Sequence, residues 1–189
     1  MKKSLLGLVL LFASVSAFAQ TWSLDKAHAK LGFEVTHLMV SSVEGSFKTF
    51  DVKVTSSKDE FADAVIELTA DASSIYTDNE KRDAHLRSAD FFETEKYPTL
   101  TFKSTSLTRA AGKKYTLVGD LTLHGVTKQV TLEATLNGTT VHPYSKKTIA
   151  GFKVSGVIKR ADFGVGKGTP PTVVSDEVTL NANLELIKD

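Results

Sequence analysis

The run Tyr115-Thr116-Leu117-Val118-Gly119-Asp120-Leu121-Thr122-Leu123-His124-Gly125 decides the fold class. Tyr115, Leu117, Leu121 and Leu123 occupy every second position, Gly119 keeps the phase, and Thr116, Asp120 and Thr122 fall between them. Successive side chains of a β-strand point to opposite faces, so this alternation marks a strand with one buried face. His124-Gly125 then reads as a tight turn. The next run, Val130 to Leu136, repeats the alternation with Val130, Leu132, Ala134 and Leu136.

The same pattern recurs on both sides. In Ala29–His37 one face carries Leu31, Phe33, Val35 and His37. In 45–54, Phe47 sits on one phase and Phe50, Val52 and Val54 on the other, which predicts a bulge or sharp bend near Thr49. Ala64–Ala70 and Thr99–Thr105, the latter with Leu100 and Phe102, read as two more strands. Ile149–Lys159 presents Phe152, Val154, Gly156 and Ile158, and Glu177–Ile187 presents Val178, Leu180, Ala182, Leu184 and Leu186. Ala111-Gly112-Lys113 and Asn137-Gly138 read as turns, and 160–172, rich in Gly and Pro, as a flexible loop. Strands at this spacing form a sandwich or a barrel. A long regular last strand, able to close against the first, and the mid-strand Gly32, Gly119 and Gly156 favour an all-β, eight-stranded antiparallel barrel.

Tyr76–Phe102 breaks the alternation. Thr77-Asp78-Asn79-Glu80 matches a capping box with Thr77 as N-cap and Glu80 at N3, predicting a helix over 78–88 between the third and fourth strands. Asp78–Arg82 and Asp83–Arg87 stand at i,i+4. Arg82, His85, Leu86 and Ala89 share one face. Two readings stay open: Arg82 and His85 fasten the helix to loops, or the helix is a lid whose Leu86, Phe91 and Phe92 seal apolar space while Arg82 and His85 face a polar group.

At 189 residues, 41% hydrophobic and 24% charged, the chain suits one globular domain. A formal net charge of +1 offers no basic excess for nucleic acid. There is no cysteine, so the core must hold without disulfides. Lys2-Lys3, the apolar run Leu5–Phe18 and Ala17-Phe18-Ala19 read as a secretory signal peptide over 1–19, leaving 20–189 as the domain, in the periplasm or secreted. The apolar run is short for a membrane span, which needs ~20 residues.

No catalytic set is legible. His28, His37, His85, His124 and His142 show neither His-x-His nor His-Glu-x-x-His spacing, so no metal set is expected. No Gly-x-Ser-x-Gly elbow occurs, and Gly164-Val165-Gly166-Lys167-Gly168-Thr169 lacks phosphate-loop spacing. The remaining constellation is apolar: Phe33, Val35, Phe47, Leu100, Phe102, Leu121, Leu123, Phe152, Val154 and Phe163 either line a barrel interior or fill it.

Several stretches resemble the YceI-like family of bacterial secreted proteins. They are Trp22-Ser23-Leu24-Asp25-Lys26-Ala27-His28, Phe33-Glu34-Val35-Thr36-His37, and Gly45-Ser46-Phe47. They continue through Arg82-Asp83-x-His85-Leu86-x-Ser88-x-Asp90-Phe91-Phe92, Tyr97-Pro98-x-Leu100-x-Phe102, Gly119–Lys128 and Arg160-Ala161-Asp162-Phe163-Gly164. The resemblance implies a lipocalin-like barrel with an elongated apolar cavity. It also implies an amphiphilic ligand, either a polyisoprenoid, an isoprenoid quinone or a fatty-acid-like lipid. Some members are dimers, and no catalytic residues come with the family. On this reading the ten apolar residues, with Leu86, Phe91 and Phe92, line the cavity, and His37, Arg82, His85 and Arg160 meet a polar head group. No cofactor is expected beyond a bound isoprenoid lipid or quinone, and membrane contact is only transient. The alternatives are an enzyme acting on a lipid head group near His85 and Arg82, or a secreted β-domain with a filled core for protein contacts.

Overall fold

A computed structural model describes residues 19–189. The expected signal peptide over 1–19 lies, but for its last residue, outside the described residues. The strands are β1 (Gln20–Leu24), β2 (Lys30–His37), β3 (Ser41–Phe47), β4 (Phe50–Ser56), β5 (Val65–Asp71) and the two-residue β6 (Ile75–Tyr76). After helix α1 (Glu80–Arg87) come β7 (Thr99–Ala111), β8 (Lys114–Leu123), β9 (Val126–Val141), β10 (Thr148–Lys159) and β11 (Val174–Lys188).

The sheet closes as a ring, β1-β4-β5-β7-β8-β9-β10-β11 and back to β1. It is an eight-stranded antiparallel barrel, as the alternation predicts. The first two strands are each broken into two. A 3-10 turn at Lys26–His28 separates β1 from β2, and both halves pair with β11. Lys48-Thr49 separates β3 from β4, where the phase of the apolar residues slips. The break lets β3 swing away from the ring, so it pairs with β2 and with only Ile75-Tyr76 on its other side. Residues 77–98, carrying α1, occupy the sector this leaves.

One end of the barrel is plugged. Phe61, fully buried on the β4–β5 connection, stacks against Trp22 at 4.9 Å and edge-on against Phe152 at 5.0 Å. The buried Tyr115 donates its hydroxyl to the carbonyl of Glu60 at 2.7 Å, which anchors the same connection. Aromatic contacts of this kind add to area burial and hold the plug in one arrangement.

Two expected turns fare differently. His124-Gly125 is the two-residue β8–β9 turn, with positive φ at both positions. Asn137-Gly138 is not a turn. β9 runs on to Val141 and reverses at His142–Lys147, while Asn137 is the extra residue of a bulge opposite Gly151-Phe152. Both a type I′ turn and a bulge accept Asn-Gly, and the long pairing with β10 selects the bulge.

Candidate functional site

α1 is not built as the capping box predicts. Its N-cap is Asn79, whose side chain accepts from the Arg82 N–H at 3.0 Å. Thr77 lies deeper and is buried. Its N–H and hydroxyl both donate to Asp83 Oδ1, at 2.8 and 2.5 Å, and its hydroxyl and carbonyl accept from Arg82 Nε and Nη2, at 2.7 and 2.6 Å. The expected Asp78–Arg82 and Asp83–Arg87 pairs therefore do not form. Arg87 instead donates to the carbonyls of Ser73 and Ile75, tying the helix to β6. Arg82, Asp83 and Arg87 each find a buried or partly buried partner nearby, and such bonds outweigh an exposed i,i+4 pair of ~0.3–0.5 kcal/mol. Asp83→Ala should leave two buried donors of Thr77 unmet, at about 1–3 kcal/mol in chemical unfolding. A wild-type midpoint would show that Thr77 finds other partners.

The segment after α1 is clasped by two glycine turns. Tyr97 packs on Gly125 and on the His124 ring, centroids 4.6 Å apart. Phe91 lies on Gly166, where a Cβ would come within 2.8 Å of the ring and φ is +63°. Only glycine meets both demands at this contact.

Beneath this segment is a cavity of about 460 Å³. Its walls are almost wholly hydrocarbon. Of the apolar residues expected there, Phe33, Val35, Phe47, Leu100, Phe102, Leu121, Leu123 and Val154 line it from the strands, and Leu86, Phe91 and Phe92 from the lid. Two do not. Phe152 belongs to the aromatic plug, and Phe163, 1% exposed, fills the core below its 3-10 turn. Alternation shows which face is inward but not how far along the barrel the empty part extends.

Other lining residues were visible as an inward face without being assigned to a cavity: Leu31, Leu68, Leu117, Leu132 and, along β11, Val178, Leu180, Ala182 and Leu184. Val165 and Val173, from the loop before β11, and Val174, its first residue, also reach the cavity. Isolated valines among Gly and Pro carry no periodic signal.

The arginine and histidine side chains collect at the end opposite the plug, while Asn181 of β11 lines the cavity in mid-strand. His37, Arg82, His85 and Arg160 all touch the cavity there, together with Thr77 and Thr169. Arg82 is braced by Thr77, and His85 Nε2 lies 3.0 Å from the exposed carboxylate of Asp90. Both readings of the lid thus hold in part: the polar residues fasten the helix and also face the cavity.

Arg160 corrects two expectations. Its side chain is buried, and all five N–H groups are spent: Nε on Ser175 O at 3.1 Å, Nη1 on Val165 and Gly166 at 3.1 and 2.6 Å, and Nη2 on Thr169 and Val174 at 2.6 and 3.0 Å. It has no donor left for a head group. The loop that its carbonyl partners belong to is wrapped around the guanidinium rather than loose. Among the described residues neither Arg82 nor Arg160 makes a direct ion pair, although Arg82 shares the Thr77 hydroxyl with the Asp83 carboxylate.

A separate polar trio, Asp25, His28 and Glu185, brings its ligand-type atoms within 4.8 Å of one another where the 3-10 turn meets β11. Asp25 caps that turn and holds His28 Nδ1 at 3.0 Å, and this hydrogen bond raises the pKa of the exposed imidazole. Residues this far apart in the chain give no spacing signal.

A closed eight-stranded barrel, plugged at one end and hollow and apolar toward the other, defines a class of single-cavity β-barrel proteins. A model of the YceI-like domain matches residues 22–186. Protein YceI of Escherichia coli O157:H7 is 43% identical over 190 residues, covering 98% of this chain and 97% of that one. The chain belongs to the YceI-like family. Among solved structures, the Campylobacter jejuni YceI protein superposes with a TM-score of 0.74 at 34% identity, covering 88% of this chain and 96% of that one. Burkholderia cenocepacia BcnA superposes at 0.77 and 27% identity, covering 86% and 98%. A polyisoprenoid binding domain from Saccharophagus degradans, at 0.66 and 19% identity over 89% and 98%, shares the fold.

Proposed function

We propose that the protein is a periplasmic or secreted carrier that shelters the tail of an amphiphilic lipid and does no chemistry on it. The candidate ligands are a polyisoprenoid, an isoprenoid quinone or a fatty-acid-like chain. The observation that carries this reading is the asymmetry of the cavity. Its walls bind hydrocarbon through buried area, at ~25 cal/mol per Å², and its arginine and histidine side chains all stand at one end. A volume of about 460 Å³ falls within the ~300–1,000 Å³ of small-molecule sites. His37, His85 and the edge of Arg82 stand where a polar head would emerge, with Arg160 contributing field rather than hydrogen bonds. The Saccharophagus degradans domain, described as polyisoprenoid binding, supports the same ligand class on the same fold.

An enzymatic role finds less support at this end of the cavity. His85 leans on an exposed carboxylate and Arg82 on a threonine, an arrangement that positions side chains rather than activating one. Organic extraction of protein purified from its native host, followed by mass spectrometry, should release a lipid in near-stoichiometric amount. Protein that is folded, never delipidated and lipid-free would end the carrier reading.

A further inference from the structure

The β2–β3 turn exposes three large apolar residues in a row: Leu38 at 52%, Met39 at 72% and Val40 at 83%. Its backbone is costly for such residues. The Val40 N–H closes the turn on the His37 carbonyl at 3.1 Å, and both central residues have positive φ, 50° at Leu38 and 61° at Met39. A turn of this type favours Asn-Gly, and bulky side chains are strained in it. Met39 and Val40 gain little burial in exchange. The stretch from Val35 to Val43 contains no Asp, Glu, Lys or Arg, so nothing charged guards the tip.

The tip is continuous with the cavity mouth. Val35, His37 and Val43, on the strands that carry the turn, line the cavity. The Leu38 N–H donates to the carbonyl of Val173 at 2.9 Å, and Val173, itself 37% exposed, lines the cavity too. An apolar path thus leads from the tip into the interior.

We propose that Leu38-Met39-Val40 is a membrane-docking tip that enters the hydrocarbon edge of a phospholipid bilayer and sets the cavity mouth against it. The choice of a bilayer rests on the carrier reading above. A lipid whose tail fits this cavity resides in membranes and not in water, so loading and release need the mouth to meet a bilayer. An uncharged apolar tip enters hydrocarbon without the cost of burying charge. A second copy of the chain fits less well, because three convex residues fall far short of the ~800 Å² per partner of a stable interface.

The test uses the folded protein and vesicles of phosphatidylethanolamine and phosphatidylglycerol in flotation assays, at physiological and high salt. Wild type should float with the vesicles at both, because apolar insertion is not screened. The double variant Leu38→Asn, Met39→Gly gives the turn the residues its backbone favours, so its melting temperature should hold or rise. Its vesicle partitioning should fall by about tenfold or more. Val40→Ser, a milder change, should weaken partitioning in the same direction. The proposal is overturned if wild type stays off the vesicles, if binding vanishes at high salt, or if both variants float like wild type. It is equally overturned if light scattering shows that the variants only convert a dimer to monomers. Lipid retained on extraction from the native host should be no higher in the variants than in wild type, because loading needs the docked mouth. If vesicle binding behaves as stated but wild type never retains lipid, the docking tip stands and the carrier reading fails.

Discussion

Arg160→Met should cost about 3–5 kcal/mol of stability, the range for breaking a buried charged network. The guanidinium holds five carbonyls from Val165 to Ser175, one of which, that of Gly166, also accepts the Thr169 N–H at 2.9 Å. Without it the carbonyls that have no second donor must find water or stay unpaired, and each unpaired one costs ~1–3 kcal/mol. The loss is a large share of the ~5–15 kcal/mol that holds a typical domain. Arg160→Lys should recover little, because one ammonium carries three donors at a point and the five acceptors surround a planar fork. Urea unfolding of both variants measures the effect. A lysine variant within about 1 kcal/mol of wild type would mean that the fork geometry does not hold the loop. Val165 and Val173 reach the cavity from this loop, so a folded Arg160 variant should also retain less lipid.

Val154→Trp should empty the protein of lipid without unfolding it. Val154 lines the cavity from β10, and its cross-strand neighbours are Ala134 on β9 and Ala182 on β11. Two alanines beside it leave room for an indole to lie in the cavity. The ring would bury apolar surface in space otherwise given to ligand, at ~25 cal/mol per Å². Stability in urea should therefore hold or rise, while extracted lipid falls by about tenfold or more. A filled interior predicts the reverse pairing: overpacking costs of ~1–3 kcal/mol and no lipid to lose. The two measurements together separate a cavity from a core.

The split between plug and cavity was not legible in the strands. Phe102 and Phe152 occupy equivalent inward positions, yet one faces the cavity and the other stacks on Phe61. Phe61 sits in an irregular connection at φ +58°, which no periodic pattern predicts. The lid was half legible. Its helix and the inward Leu86, Phe91 and Phe92 follow from spacing, but the capping box fails because Thr77 is drawn inward by Asp83 and Arg82. Capping preferences operate within a few residues, and a buried hydrogen-bonded network overrides them. Arg160 enters as a head-group residue only through the family resemblance, in the motif Arg160-Ala161-Asp162-Phe163-Gly164. Its five acceptors lie on backbone carbonyls, which every residue has and no sequence advertises.

The longer strands, their inward faces, the break near Thr49 and the family are legible in the sequence, because these rest on a period of two and on motifs read in order; the five-residue β1 that closes the ring and the two-residue β6 are too short to show that period. The tertiary structure alone decided where the barrel is hollow, which residues the lid clasps, and that Arg160 holds a loop rather than a ligand. Those features depend on how closely separate strands and loops approach once the ring closes. A cavity is the space their side chains leave unfilled, and no single stretch of chain encodes that space.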